Sequence, residues 1–208
     1  FNITLIDKLN HHQFQPLLYQ VATSGLEPSS ISFPLRKIFQ KKKNVIIRLT
    51  SVTGVSPERK KVHTEIGDIE FDYLILAQGA TTNYYNNDSL HNNAYSMKSV
   101  SEALLLRNNL LQNYELALNP MNREERNSLL NVVIVGGGPT GVELAGAIAE
   151  MKSKILPKDY AELNFGHMHI YLLEAGSNLL NGMSNKSGET VLAYLKRLGV
   201  EVQTNTAV

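Results

Sequence analysis

Residues Val132–Gly146 read VVIVGGGPTGVELAG, and the fold can be argued outward from them. Val132–Val135 are four apolar residues in a row, and Gly136, Gly138 and Gly141 then form G-x-G-x-x-G directly before a stretch of helical character. Each glycine has a physical reason. Gly136 permits the tight turn, Gly138 lets a pyrophosphate approach the backbone, and Gly141 lets the helix pack closely on the strand. Free N–H groups at the helix start, together with the positive end of its dipole, then face the phosphates. Pro139 suits the first helical turn, where its missing N–H costs nothing; Gly137 and Thr140 complete the loop. A Walker A loop is excluded, because Val142 and Glu143 stand where Lys and Ser/Thr would be needed.

Beyond the loop the pattern predicts a helix from Pro139 to about Ile155, a strand at Met168–Glu174, a helix over Lys186–Leu198 and a strand at Val200–Thr204, with Gly199 as a helix stop. Such β-α-β-α-β alternation predicts a parallel sheet covered on both faces. Glu174 ends the strand IYLLE. A carboxylate there can accept from both adenosine ribose hydroxyls and would repel a 2′-phosphate. Residues 175–178 contain no Arg to receive that phosphate, which favours NADH over NADPH. Glu174 follows Gly141 by 33 residues, where about 20 is usual; the excess reads as an insertion within Lys152–His167, around Pro157.

Upstream, Ser99-x-x-Glu102 is a capping box, and Ala103, Leu106, Leu110, Tyr114 and Ala117 recur behind it at helical spacing, so a helix to about Leu118 is expected. Asn119–Asn127 reads as polar loop or helix end. Ile3–Asp7 reads as a strand, 11–28 as loop with a short helix, and 32–43 as holding another short helical piece, whose Lys41–Lys43 end is solvated. Val45–Leu49, Val52–Val55, Lys61–Ile66 and Ile69–Phe71 read as short strands, and Asp72–Ala77, DYLILA, as a buried parallel strand. Thr81–Met97 reads as a polar linker.

The predicted class is α/β, with two Rossmann-like domains, three-layer with parallel sheets. The first, residues 1–98, is incomplete and carries a small antiparallel β meander; the second spans 99–208. ITLID at Ile3–Asp7 and IYLLE share one pattern, which points to a second nucleotide site whose own glycine loop would lie before Phe1. The chain therefore reads as part of a longer protein that binds two dinucleotides, one of them a flavin accepting hydride from the other.

Composition narrows the classes. Lys+Arg number 20 and Asp+Glu 19, a net charge of +1, so nothing favours nucleic acid. Cysteine is absent, which removes disulfides, thiolate catalysis and Cys-based metal sites from this stretch. No apolar run could span a bilayer and no leader pattern is visible, which reads as cytoplasmic. His167-x-His169 lacks a carboxylate at ligand spacing, so no metal site is expected.

Three stretches, NHHQFQPLLYQVATSGLEP (Asn10–Pro28), FDYLILAQGATTN (Phe71–Asn83) and VVIVGGGPTGVELAG, closely resemble the type II NADH:quinone oxidoreductases, which are two-dinucleotide-binding-domain flavoproteins. The resemblance implies FAD and NADH as cofactors, hydride transfer from NADH to flavin, and electron transfer to quinone without proton pumping. It also implies a peripheral position on the inner face of the cell membrane, made by segments outside these residues, and allows for a homodimer. Position by position it implies Asp7 and Lys8 at the FAD ribose, Gln15 near the flavin phosphates or ring, Val52 at adenine and Gly79 at the FAD pyrophosphate. It places Gly136–Gly141 and Glu174 at NADH, and Glu143 near the meeting of nicotinamide and flavin, as a catalytic proton relay or gate. On the first helical turn such a carboxylate would be held ionised by the dipole. These residues alone are expected neither to hold FAD tightly nor to turn over. Disulfide reductases are excluded by the missing cysteines, sulfide:quinone reductases are disfavoured, and ferredoxin or rubredoxin reductases match less well. A module that senses NADH without passing electrons is the alternative from another class.

Overall fold

A computed structural model describes residues 1–208. In chain order its elements are β1 (Ile3–Asp7), β2 (His11–Gln13), α1 (Leu18–Ala22), β3 (Ser32–Pro34), α2 (Leu35–Ile38), β4 (Val45–Leu49), β5 (Val52–Ser56), β6 (Lys61–Thr64) and β7 (Gly67–Glu70). There follow α3 (Asp88–Asn93), α4 (Val100–Ala117), α5 (Arg123–Leu130), β8 (Val132–Val135), α6 (Pro139–Lys154), α7 (Leu156–Asp159), β9 (Ile170–Leu173), α8 (Asn185–Arg197) and β10 (Glu201–Gln203). This is an α/β fold with parallel sheets and a small antiparallel meander.

The chain forms two compact units, one of residues 1–14 and 29–82, the other of 15–28 and 83–208. The sequence predicts a single boundary after residue 98. The structure instead gathers 15–28 and 83–98 into the second unit, because α1 packs on α4 and α6 through the buried Leu18, Val21 and Ala22.

In the first unit β1 and β4 pair in parallel, with Ile3 opposite Val45 and Asp7 opposite Leu49. β5, β6 and β7 form the antiparallel meander, with a register shift between Val52 and Gly54. The short helical piece expected within 32–43 is α2, and Ser32–Pro34 before it pairs antiparallel with β2; this partner is distant in sequence, so no local periodicity announces it. One expectation is corrected here. Asp72–Ala77, expected to be a buried strand, is unpaired, with Tyr73 82%, Ile75 87% and Leu76 67% exposed. An apolar run becomes a central strand only with a neighbouring ladder to pair with. Here β1 and β4 make a two-stranded sheet by themselves.

In the second unit the parallel order is β10-β9-β8, with Val132 opposite Ile170 and Leu173 opposite Gln203. Ile134, Ile170 and Leu172 point into a core shared with Ala145, Ile148, Ala149, Leu195 and Val200. Each large side chain fully removed from water there contributes about 1.5–3 kcal/mol. The insertion between α6 and β9 is structural rather than loose, since Leu156, Leu163 and Phe165 are all buried in the same core. On the other face Val133 is 58% and Val135 49% exposed, so at β8 the expected cover on both faces is not met.

Caps set the helix limits. Ser99 Oγ accepts from Glu102 N, and Glu102 Oε2 accepts from Ser99 N at 2.8 Å, the reciprocal box that starts α4. Burial pushes the Glu102 carboxyl up, but hydrogen bonds from Ser96 Oγ, Lys98 N and Ser99 N outweigh it and hold the group below its ordinary range. Gly199, at φ +83°, follows α8 as its stop. α5 was not expected; Asn122 caps it by accepting from Glu125 N at 2.9 Å, and Glu124 and Glu125 occupy its first turn.

Tyr114 on α4 is fully buried, its ring edge-on to Tyr160 at 5.7 Å and to Phe165 at 6.1 Å. Burial, with Tyr160 beside it, pushes its hydroxyl ionisation well up, and the oxygen has no hydrogen-bond partner. Tyr114→Phe keeps the ring contacts and removes an unpaired polar atom. We expect it to raise the stability of the second unit by about 1 kcal/mol in urea unfolding, whereas Tyr114→Ala should lose about 3–5 kcal/mol.

Candidate functional site

The loop between β8 and α6 takes its shape from three different demands on glycine. Gly136 has φ +105°, which side-chain-bearing residues rarely adopt, and its N–H still donates to Leu173 O at 2.8 Å. At Gly141 a Cβ would stand 2.0 Å from Gly136 O and 3.4 Å from Ile134 Cγ2, so the returning helix leaves no room for one. At Gly138 a Cβ would meet nothing within 4 Å. The space in front of α6 is therefore open. Gly138 is the N-cap of α6 and supplies no side-chain cap. The first-turn amides, Thr140 and Gly141 among them, are left for an external acceptor.

Glu174 follows β9 directly, its N–H donating to Gln203 O at 2.8 Å. Its half-buried carboxylate reaches the glycine loop: Oε2 accepts from Gly137 N at 2.7 Å and Oε1 from Gly176 N at 2.6 Å. The predicted ribose acid and the predicted phosphate loop are thus brought together, although 33 residues separate Glu174 from Gly141. The insertion folds into the core and does not lengthen the path between strand ends.

Sequence reading missed the segment that follows. Leu180 N donates to Gly137 O at 2.8 Å, and a Cβ at Gly137 would lie 2.5 Å from Leu179 Cδ2. Leu179 thus roofs the middle glycine, which is buried. A signal exists only in conformation: Leu180 has φ +55° and Gly182 φ +94°, a tight turn with no simple sequence signature.

Glu143 differs from its expected position. It is the fifth residue of α6 and lies past the first turn, where the dipole acts. The side chain is exposed and lines a groove of about 480 Å³ together with Tyr19, Gln20, Val142, Glu150 and Tyr194.

Of the residues predicted at a flavin, the first unit gathers Asp7, Lys8 and Val52 at the end of β1. Asp7 ends β1, where its Oδ1 accepts from Leu9 N at 2.8 Å and its carbonyl accepts from Thr50 N at 3.0 Å, two residues before Val52. Lys8 is exposed beside it. Gly79 has φ +70° in the exposed stretch after Asp72. Gln15 belongs to the second unit, where its Nε2 donates to Lys98 O at 3.1 Å. The adenosine end of a flavin nucleotide fits what is assembled here, with one Asp7 oxygen left to accept.

Comparison with known proteins gives a consistent picture. The family model described as pyridine nucleotide-disulphide oxidoreductase matches residues 1–208. The chain is 37% identical to the type II NADH:quinone oxidoreductase Ndh of Mycobacterium tuberculosis, over 100% of this chain and 46% of that protein. It is 36% identical to NdhA of the same organism, over 100% of this chain and 45% of that protein. The chain thus spans about half the length of these relatives. Among solved structures, NDH2 from Plasmodium falciparum in complex with NADH superposes with a TM-score of 0.89 at 29% identity, covering 99% of this chain and 43% of that one.

Proposed function

Because this chain belongs to the pyridine nucleotide-disulphide oxidoreductase family, we propose that it carries the NADH site and part of the flavin site of a type II NADH:quinone oxidoreductase. The observation that carries the reading is the Glu174 carboxylate at the mouth of the glycine loop, 2.7 Å from Gly137 N.

The second unit acts as the NADH half. The first-turn amides of α6 receive the diphosphate, and the open space at Gly138 admits it. Glu174 keeps its two amide bonds and offers its remaining lone pairs to the adenosine ribose hydroxyls. A 2′-phosphate would meet that carboxylate at close range, and residues 175–178 offer no cation to offset it, so NADH is preferred over NADPH.

The first unit acts as part of the flavin half, with Asp7 and Lys8 at the ribose, Val52 at adenine and Gly79 toward the pyrophosphate. Gln15 keeps the role the resemblance gives it, near the flavin phosphates or ring. FAD, when bound, supplies the two-electron acceptor that a quinone then reoxidises. Glu143, exposed along its groove, takes the role the resemblance gives it, a proton relay or gate. The protein meets its membrane quinone peripherally, on the cytoplasmic face; no helix of this chain is long and apolar enough to cross a membrane. A homodimer is compatible with this arrangement.

The test is an assay of the full-length protein carrying this sequence. NADH-dependent reduction of a soluble quinone analogue, lost on removal of FAD, is the expected result. NADH binding without quinone reduction would replace this reading with a sensing module.

A further inference from the structure

The β5–β6–β7 meander carries a second constellation, which nucleotide binding does not use. Ser56 Oγ lies 2.8 Å from His63 Nε2, and His63 Nδ1 lies 2.7 Å from Asp68 Oδ1. The pleat explains the grouping. His63 and Asp68 are directly paired across β6 and β7, and Ser56 is paired with Lys61, two residues from His63 on the same face. Val62, between Lys61 and His63, points the other way and is buried, which pins the register. Lys61 Nζ joins the face, 3.8 Å from Asp68 Oδ2 and 3.5 Å from Glu70 Oε1.

Protonation follows from the partners. An ionised carboxylate can only accept, so Asp68 fixes the imidazole proton on Nδ1. The hydrogen bond from His63, with Lys61 nearby, holds the Asp68 carboxyl below its ordinary range, which keeps it ionised at neutral pH. In the neutral imidazole His63 Nε2 then presents a lone pair, and Ser56 is the donor. That is the proton arrangement a serine nucleophile requires. The relay is accessible, with the His63 side chain 39% and that of Asp68 47% exposed. Glu70, which Lys61 meets, also lines a depression of about 460 Å³ with Arg59, Lys60 and Phe71.

We propose that Ser56 is a nucleophile, activated by His63 and oriented through Asp68, that accepts acyl groups from small activated esters. Ser56 Oγ bonds to the carbonyl carbon while its proton passes to His63 Nε2. The bond from that carbon to the leaving oxygen breaks, and His63 returns the proton to the departing alcohol. Acyl-Ser56 and a neutral imidazole remain. Water then adds to the ester carbon with its proton going to His63, the carbon–Oγ bond breaks, and Oγ recovers the proton as the carboxylic acid leaves. Lys61, paired across from Ser56, has its Nζ engaged by Asp68 and Glu70 and so helps to hold the Asp68 carboxylate in place.

The experiment treats the full chain with a fluorophosphonate probe and, separately, with p-nitrophenyl acetate, and maps the adducts by mass spectrometry. The expected label is on Ser56. Ser56→Ala should abolish it, and Asp68→Asn and His63→Ala should each slow it by on the order of a hundredfold with the melting temperature preserved. Asp68→Asn keeps the shape of the face, and it decides the matter if His63→Ala unfolds the meander. Adducts on lysines alone, or Ser56 labelling that is indifferent to both substitutions, would overturn the proposal.

Discussion

Gly138→Ala should leave the fold intact and cost NADH binding, whereas Gly141→Ala should cost both. At Gly138 the backbone is extended (φ −73°, ψ 179°), and a new Cβ would meet nothing within 4 Å. The methyl group fits the protein without strain, so the melting temperature should stay within about 2 °C of the parent's. It projects, however, into the space a diphosphate must enter to reach the first-turn amides, and the Kd for NADH should rise at least about tenfold, a loss of about 1.4 kcal/mol. At Gly141 the same methyl would lie 2.0 Å from Gly136 O and 3.2 Å from its carbon. Those are backbone atoms that cannot rotate aside, so the strand–helix turn must open. A destabilisation of about 3 kcal/mol is expected, together with loss of measurable NADH binding. Thermal melts paired with calorimetric titrations separate the two outcomes. Equal NADH affinity in Gly138→Ala and the parent would show that no phosphate approaches this loop.

Glu174→Ala is expected to act on both binding and stability. Two charge-assisted bonds disappear, each with a net value of about 1.5–3 kcal/mol, reduced here because the carboxylate is only half-buried. Gly137 is buried, so its amide loses its partner where water is scarce. A stability loss of about 2 kcal/mol in urea unfolding follows. NADH affinity should fall by about one to two orders of magnitude, while NADPH affinity changes little, since removing the carboxylate also removes its repulsion of the 2′-phosphate. Glu174→Gln retains one acceptor and should fall between the two. An unchanged NADH-to-NADPH ratio in Glu174→Ala would contradict the ribose assignment.

What the sequence made legible was local. Ser99 and Glu102 announce their helix because both halves of the capping box lie within one turn. The glycine loop is legible because each of its constraints acts between neighbours: a φ at Gly136 and a close approach at Gly141. Glu174 was legible from its place after an apolar strand, but the amides it accepts from were not, since the Gly137 bond spans 37 residues. Reading failed where the decision rests on distant partners. Ser32–Pro34 is a strand only because His11–Gln13 lies alongside. DYLILA has the composition of a buried strand and no ladder to join, so its apolar side chains stay in solvent. α5 was overlooked because its residues are almost all polar, although Asn122 and the acids behind it are a legible start signal. Glu143 reads as a first-turn residue from the sequence but lies one turn further along α6, which changes the field it feels. Ser56, His63 and Asp68 lie on three strands, and only the pairing of those strands discloses that they meet.

The most direct measurement is a titration of NADH into the isotope-labelled chain, followed amide by amide by NMR. The largest shifts should fall on Gly137, Gly138, Thr140, Gly141 and Gly176, and Glu174→Ala should weaken the titration at every one of them. Shifts confined to the first unit, or a binding curve that the Glu174 substitution leaves unmoved, would mean that neither these amides nor that carboxylate holds the nucleotide.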